Sequence, residues 1–204
     1  MIVTAVEKRR KALSALYIDG EYAMKLDTQT LLENRITAGV ELDDEQLREL
    51  ILLSDTRRAK EKALWLISYR DHSSKELYQK LRKEYSEEAT QNALQRMQEL
   101  GLINDEAFAR RYAAELHSSK HLSPSTIRYK LIEKGIDREL ADEIIESLQI
   151  DPQEEIAALV EKKYARSLSD EKGVRRTVAA LQRAGYRFSD IKSVLSSYIQ
   201  DDYE

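Results

Sequence analysis

The sequence predicts a mostly helical fold: three tandem three-helix repeats forming an elongated curved array, preceded by a small N-terminal β-hairpin or three-stranded module with short helices. Three observations point there. Charged residues make up 34% of the 204 and the hydrophobic set 42%, with only six Gly and two Pro, a balance that favours long solvated helices over a sandwich or barrel. An apolar helix face recurs at a spacing close to fifty residues, within the range that marks a repeat architecture. Capping residues and glycines fall between the apolar stretches where helix starts and stops are needed.

The head comes first. Residues 12–18 and 21–26 flank Asp19-Gly20, a dipeptide suited to a tight type I′ turn, so a β-hairpin is expected there. A third strand over residues 2–6 would complete a sheet able to hold its shape. Residues 28–33 and 43–53 read as two short helices, the second opened by Asp43 with acidic residues in its first turn, and Ala38-Gly39 marks a turn between them. In the repeats the first helix carries apolar residues at i, i+4 and i+8: Ala59, Ala63 and Ile67; then Phe108, Tyr112 and Leu116; then Ile156, Val160 and Tyr164. The second helices pair Leu77 with Leu81, Ile127 with Leu131, and Val178 with Leu181. The third close each unit through Ala93, Leu94 and Met97; Ile144, Ile145 and Leu148; and Val194, Leu195 and Tyr198. Phe108, Tyr112 and Tyr164 share a register with Ala59 and Ile156, which assigns them to core packing rather than to a ligand-binding aromatic box.

Ser73 with Glu76 forms a capping box, and Ser123 and Asp151 each cap a helix with Pro at its first position. Ser86 and Asp137 cap the closing helices of the first two units, and Gly101, Gly135 and Gly185 stand where a left-handed residue ends a helix. The expected divisions are residues 1–54 for the head, then 55–103, 104–151 and 152–204 for the repeats.

No stretch approaches the roughly 18 to 20 apolar residues of a membrane span, and the first residues carry charges where a signal peptide needs an apolar core, so the expected location is cytoplasmic. Without Cys there is no disulfide framework or thiolate metal site. Phosphate loops, dinucleotide-binding turns and the nucleophile elbow are all missing, so no cofactor, no small-molecule substrate and no enzymatic activity are expected. His117 and His121 have the four-residue spacing of two metal ligands on one helix face, but without an intervening Glu, and a helix end with exposed imidazoles is the simpler reading; no metal is expected.

The net charge of −4 argues against a protein that chiefly coats DNA. The distribution is uneven: residues 55–103 hold ten Lys and Arg against eight Asp and Glu, whereas residues 1–54 and 104–151 each hold seven against ten. Basic residues recur on or beside the second helix of each unit: Arg70, Lys80, Arg82 and Lys83; Arg128, Lys130 and Lys134; Arg175, Arg176 and Arg183. Stacked equivalent helices would align them into a stripe suited to an acidic polymer or an acidic protein groove. Glu76, Glu84 and Glu133 are interspersed, and surface ion pairs worth little each are the other reading of the same pattern.

Tyr69-Arg70-Asp71-His72-Ser73-Ser74-Lys75-Glu76-Leu77, followed by Lys80-Leu81, resembles the signature of the RecX regulatory proteins. Gly101-Leu102-Ile103-Asn104-Asp105 with Phe108-Ala109 and Tyr112 is similar to that family's junction between its first two repeats. Pro124, Ile127 and the run Leu131 to Ile136 resemble its second-repeat pattern. The third unit resembles the family only in its apolar pattern and Ala184-Gly185-Tyr186, and the head with its Tyr-Ile-Asp-Gly-Glu-Tyr-Ala segment is similar to the longer N-terminal extension of Gram-positive-type members. Ser123 replaces the usual Gly before Pro124, Tyr129-Lys130 stands where a Glu is common, and Glu84-Tyr85 lacks a Lys-Gly turn. The resemblance implies a non-catalytic protein that lodges in the groove of the RecA filament and lowers strand exchange and ATP turnover, with single-stranded DNA met directly or through RecA. Arg70, Lys80, Arg82, Lys83, Arg128, Lys130, Lys134, Arg175 and Arg183 are the expected contacts, chosen by position and charge. The alternatives are a stand-alone single-stranded nucleic-acid-binding module and a helical adaptor for another protein.

Overall fold

Asp19 and Gly20 both take positive φ, 51° and 88°, the backbone that a two-residue hairpin turn demands. They join β2 (Leu13–Ile18) to β3 (Glu21–Asp27), and β1 (Val3–Lys8) pairs antiparallel with the other edge of β2, giving the sheet order β1-β2-β3. Helix α1 (Thr28–Glu33) follows at once, capped by Asp27, whose carboxylate accepts from the amide of Thr30 at 2.8 Å. This computed structural model describes residues 1–200. Its described residues form two compact units, Met1–Asn104 and the residues from Asp105 onward.

In the first unit α2 (Asp44–Tyr69) is a single helix of 26 residues, opened by a capping box between Asp43 and Gln46. The short helix expected to end at residue 53 instead continues, and residue 55, the expected start of the first repeat, falls inside α2. No Gly or Pro intervenes between Glu41 and Tyr69 to stop the helix. At the expected break, Ser54 is buried and its hydroxyl accepts from the amide of Asp27 at 2.8 Å, while Arg57 reaches the buried Asp27 carboxylate at 3.5 Å. Leu50 joins Val3, Leu16, Leu26, Leu31, Ile36 and Leu42 in the head core. Further along, Ala59, Ala63 and Leu66 join the first-repeat core with residues of α3 (Ser74–Leu81) and α4 (Glu87–Glu99).

In the second unit, the second repeat consists of α5 (Asp105–Ser118), α6 (Pro124–Glu133) and α7 (Arg138–Ser147) around Phe108, Ala109, Ala113, Leu116, Ile127, Leu131 and Ile144. The third repeat starts with α8 (Pro152–Leu159), which runs into a π-helical turn (Val160–Tyr164) and a 3-10 segment (Ala165–Ser169) before α9 (Glu171–Arg183) and α10 (Phe188–Gln200). Gly173, in the first turn of α9, meets that irregular stretch so closely that a Cβ there would lie 1.7 Å from the carbonyl oxygen of Ser167.

The repeat register differs from the expected one by a residue. The fully buried pairs are Ala59 with Ala109 and Ala63 with Ala113, and Leu66 matches Leu116, Leu77 matches Ile127, and Leu81 matches Leu131 and Leu181, each step fifty residues. Ile67 and Tyr112 are only half-buried, on the shoulder of that row, because helix packing here brings backbones close over alanines. In α9 the position facing the core is Thr177 rather than Val178; its hydroxyl donates to the carbonyl of Gly173 at 3.0 Å and so remains satisfied.

Beyond Leu81 the spacing changes. Tyr85 takes the place of Ile136 and Ser86 that of Asp137, so the α3–α4 connection is one residue shorter than its counterpart. In the second and third repeats a left-handed glycine closes the helix: Gly135 donates to the carbonyl of Ile132 and Ile136 to that of Leu131, and Gly185 and Tyr186 do the same with Gln182 and Leu181. The first repeat has no glycine here; Tyr85 donates to the carbonyl of Leu81 at 3.0 Å, and the Arg82 guanidinium donates to the carbonyl of Tyr85 at 2.6 Å.

Gly185 does a second job. The amide of Ser123 donates to the carbonyl of Ala184 at 2.9 Å, and a Cβ on Gly185 would lie 1.8 Å from Thr126 Oγ1, so the third-repeat turn sits directly on the start of α6. Gly101, which ends α4, has open space around it. Gly101→Ala is expected to cost only the left-handed backbone penalty of about 1–2 kcal/mol, whereas Gly185→Ala adds a steric clash and is expected to cost at least about 3 kcal/mol. Denaturant unfolding of the two variants checks this, and equal losses would contradict the close approach at Gly185.

Candidate partner-contact surface

The nine basic positions fall into distinct environments once the helices are in place. Arg70 is the C-cap of α2; its guanidinium donates to the carbonyl of Asp71 at 2.7 Å and meets Glu76 on α3 at 3.2 Å. Arg128 makes a two-pronged ion pair with Asp142 on α7, including Nη2 to Oδ2 at 2.9 Å, which lowers the Asp142 carboxyl pKa and raises that of the guanidinium. Arg175 pairs with Glu171 one turn earlier on α9 at 2.5 Å. Arg82 is held by the carbonyl of Tyr85, and Lys134, the C-cap of α6, lies 5.6 Å above the ring of Tyr112. These five cations serve the fold as well as the surface.

Lys80, Lys83, Lys130 and Arg183 are different, since no hydrogen bond or ion pair among the described residues engages their side chains. All four lie in or just beyond the last turn of a second helix: Lys80 and Lys83 on α3, Lys130 on α6 and Arg183 on α9. Lys80 and Lys130 occupy equivalent repeat positions, as do Lys83 and Arg183. The carbonyl ends of these helices favour positive charge; Lys83 and Arg183 are exposed there and Lys80 and Lys130 half-buried. The sequence pattern could not separate them from the paired arginines, because Asp142 lies fourteen residues from Arg128 and on another helix.

The Arg70-Asp71-His72-Ser73 segment builds the turn between α2 and α3. Ser73 caps α3 by accepting from the amide of Glu76, and His72 is 6% exposed, its Nδ1 2.8 Å from the carbonyl oxygen of Arg70 and its Nε2 buried with no partner. Desolvation is the main cause that lowers the His72 pKa, aided by the Arg70 and Lys80 charges, against the Arg70 carbonyl and Glu76, which raise it. His117 and His121 do not share a helix face: α5 ends at Ser118 and His121 takes φ of 50°, while His117 sits 3.5 Å from Glu155. Among the described residues no group of three or more His, Cys, Asp or Glu is placed to hold a metal ion, and no helix is long and apolar enough to cross a membrane.

A surface feature outside the predicted set is the pair Trp65 and Tyr69 on the last turns of α2. They are 59% and 85% exposed and their rings stack. The signal was in the sequence: two aromatics four apart, off the Ala59-Ala63-Leu66 row.

Helix, turn and cap thus define the class of protein: tandem three-helix repeats behind a small sheet, with cations carried at the ends of the second helices. Comparison with known proteins places it further. Family models for the first and second three-helix domains of RecX match residues 59–97 and 104–145. Proteins called regulatory protein RecX are similar over nearly the whole chain, at 27% identity in Caldanaerobacter subterraneus, covering 96% of this chain and 99% of that one, and at 26% in Clostridioides difficile, covering 100% and 99%. The Bacillus subtilis protein of the same name is 28% identical over 98% of this chain and 76% of its own. A crystal structure of regulatory protein RecX has a TM-score of 0.62 at 23% identity, covering 96% of this chain and 98% of that one, and RecX from Lactobacillus salivarius has a TM-score of 0.57 at 23% identity over 71% and 96%; these share the fold. The chain belongs to the RecX family of regulatory proteins.

Because the folded His72 binds a proton less readily than the unfolded chain, its contribution to stability is full above the ordinary imidazole value of 6.5 and is lost as pH falls from there through the folded value. Thermal melts from pH 7.5 to 5 should show a falling midpoint, and His72→Asn should flatten that dependence. A His72 imidazole that titrates at or above 6.5 by NMR would contradict this.

Proposed function

We propose that this chain regulates the RecA recombinase, binding the filament that RecA forms on single-stranded DNA and lowering its ATP turnover, strand exchange and extension. The observation that carries the reading is the likeness to regulatory RecX proteins across nearly the full chain. Repeated second helices with unpaired cations at their ends fit a target made of repeated protomers. One chain carries several such ends, and linked weak contacts gain from effective concentration, which favours a polymer over a free protomer.

Lys80, Lys83, Lys130 and Arg183 are the direct contacts in this reading, since they reach an acidic partner without giving up an internal one. Arg70, Arg82, Arg128, Lys134 and Arg175 join only by exchanging or sharing the partners they hold in the fold. The site of action is the cytoplasm, where RecA works on DNA, and the role is that of a binder rather than a catalyst.

The test is single-stranded-DNA-stimulated ATP hydrolysis by the cognate RecA, titrated with the chain. Hydrolysis should fall as the chain is added, and unchanged hydrolysis at saturating chain would overturn the proposal. The fourfold variant Lys80→Glu, Lys83→Glu, Lys130→Glu, Arg183→Glu should need about ten-fold more protein for the same inhibition, the scale of a lost charge-assisted contact set. Undiminished inhibition by that variant would remove these residues from the interface while leaving the regulatory role intact.

A further inference from the structure

Trp65 and Tyr69 stand on the face of α2 turned away from the buried row Ala59-Ala63-Leu66. Their ring centroids are 6.5 Å apart with an interplanar angle of 25°, and Lys62 Nζ lies 5.1 Å above the Trp65 ring. Core packing does not account for the pair: at 85% exposure Tyr69 packs on little but Trp65, and the equivalent positions of the second repeat are Glu115 and Ser119. A large aromatic surface left in water at a helix end is costly unless something covers it.

Charge indicates what covers it. Residues 55–83 hold nine Lys and Arg against four Asp and Glu, a surplus of five in a chain that is acidic overall. Of the acidic groups nearest the pair, Glu84 is 3.3 Å from Lys62 and Glu76 is engaged by Arg70, while Glu61 and Asp71 lie one turn before Trp65 and just past Tyr69. An aromatic step edged by Lys62 and Arg70 offers a π-face to a base, and these two cations would exchange Glu84 and Glu76 for the flanking phosphates.

We propose that Trp65 and Tyr69 form a stacking platform for single-stranded nucleic acid, with an unpaired base on the outer face of Tyr69. A duplex hides its base faces and would not fit, and every base has such a face, so binding would be tolerant of sequence. This contact needs no RecA and stands separately from the regulatory reading.

Trp65 is the only tryptophan in the chain, so its emission reports the site directly. Titrating the full chain with a twenty-nucleotide oligo(dT) at low salt, without RecA, should quench that emission saturably. Tyr69→Ala should weaken binding about ten-fold, Tyr69→Phe should restore it, and unchanged circular dichroism should show that both variants fold. A duplex of the same length should give little quenching. Absence of quenching by oligo(dT) overturns the proposal, as does equal quenching by duplex or binding that ignores Tyr69→Ala. Quenching that appears only when RecA is added also overturns it and turns the pair into a protein anchor. RecA inhibition by the same variants is read in parallel, so loss of oligo(dT) binding with inhibition intact separates this contact from the regulatory reading.

Discussion

One uninterrupted helix serves two cores, and the first unit depends on it. The 26 residues of α2 span about 39 Å at 1.5 Å per residue. The early turns give Leu50 to the head, and the later ones give Ala59, Ala63 and Leu66 to the first repeat. Between them Ser54 and Arg57 engage Asp27, which also caps α1. A buried carboxylate is tolerated only when its oxygens are satisfied, so sheet, cap and helix must come together at once. A three-stranded sheet of this size gains its stability from the helix that it packs against.

Much of this was legible because several local signals coincide. Asp19-Gly20 defines the hairpin, Ser73, Ser86, Ser123, Asp137 and Asp151 all cap helices as their chemistry requires, and the glycines at 101, 135 and 185 all take positive φ. The reading failed where tertiary contacts decide. The expected helix stops at residue 53, yet the hydroxyl of the next residue, Ser54, has a buried partner twenty-seven residues away. The buried first-helix row is alanine, which periodicity undervalues beside Phe108, itself buried, and Tyr112, whose ring stacks on Phe108 from the shoulder of the row. The irregular stretch after α8 has no breaker in its sequence; Gly173, beyond it, admits the Ser167 backbone.

The candidate surface was legible as a list of charges and illegible as a set of roles. Arg128 and Lys130 lie two apart on α6, but only the arginine meets Asp142, because opposite facing on the helix is set by three-dimensional packing. Pairing also explains why Arg rather than Lys stands at positions 70 and 128. A planar guanidinium can engage a carboxylate through two nitrogens, which an ammonium cannot. The lysines at 80, 83 and 130 have no such geometric duty and are compact charges on flexible stems.

The shortened link after α3 changes how the repeats map onto one another. Up to Leu81 a residue in the first repeat corresponds to one fifty places later, but from Tyr85 the partner is one place further on, as with Ala93 and Ile144. One residue along a helix is a rotation of roughly 100°. A transfer of roles that kept the constant step would therefore rotate α4 by about a quarter-turn, matching buried Ala93 with exposed Glu143, although each helix considered alone would still look correctly aligned.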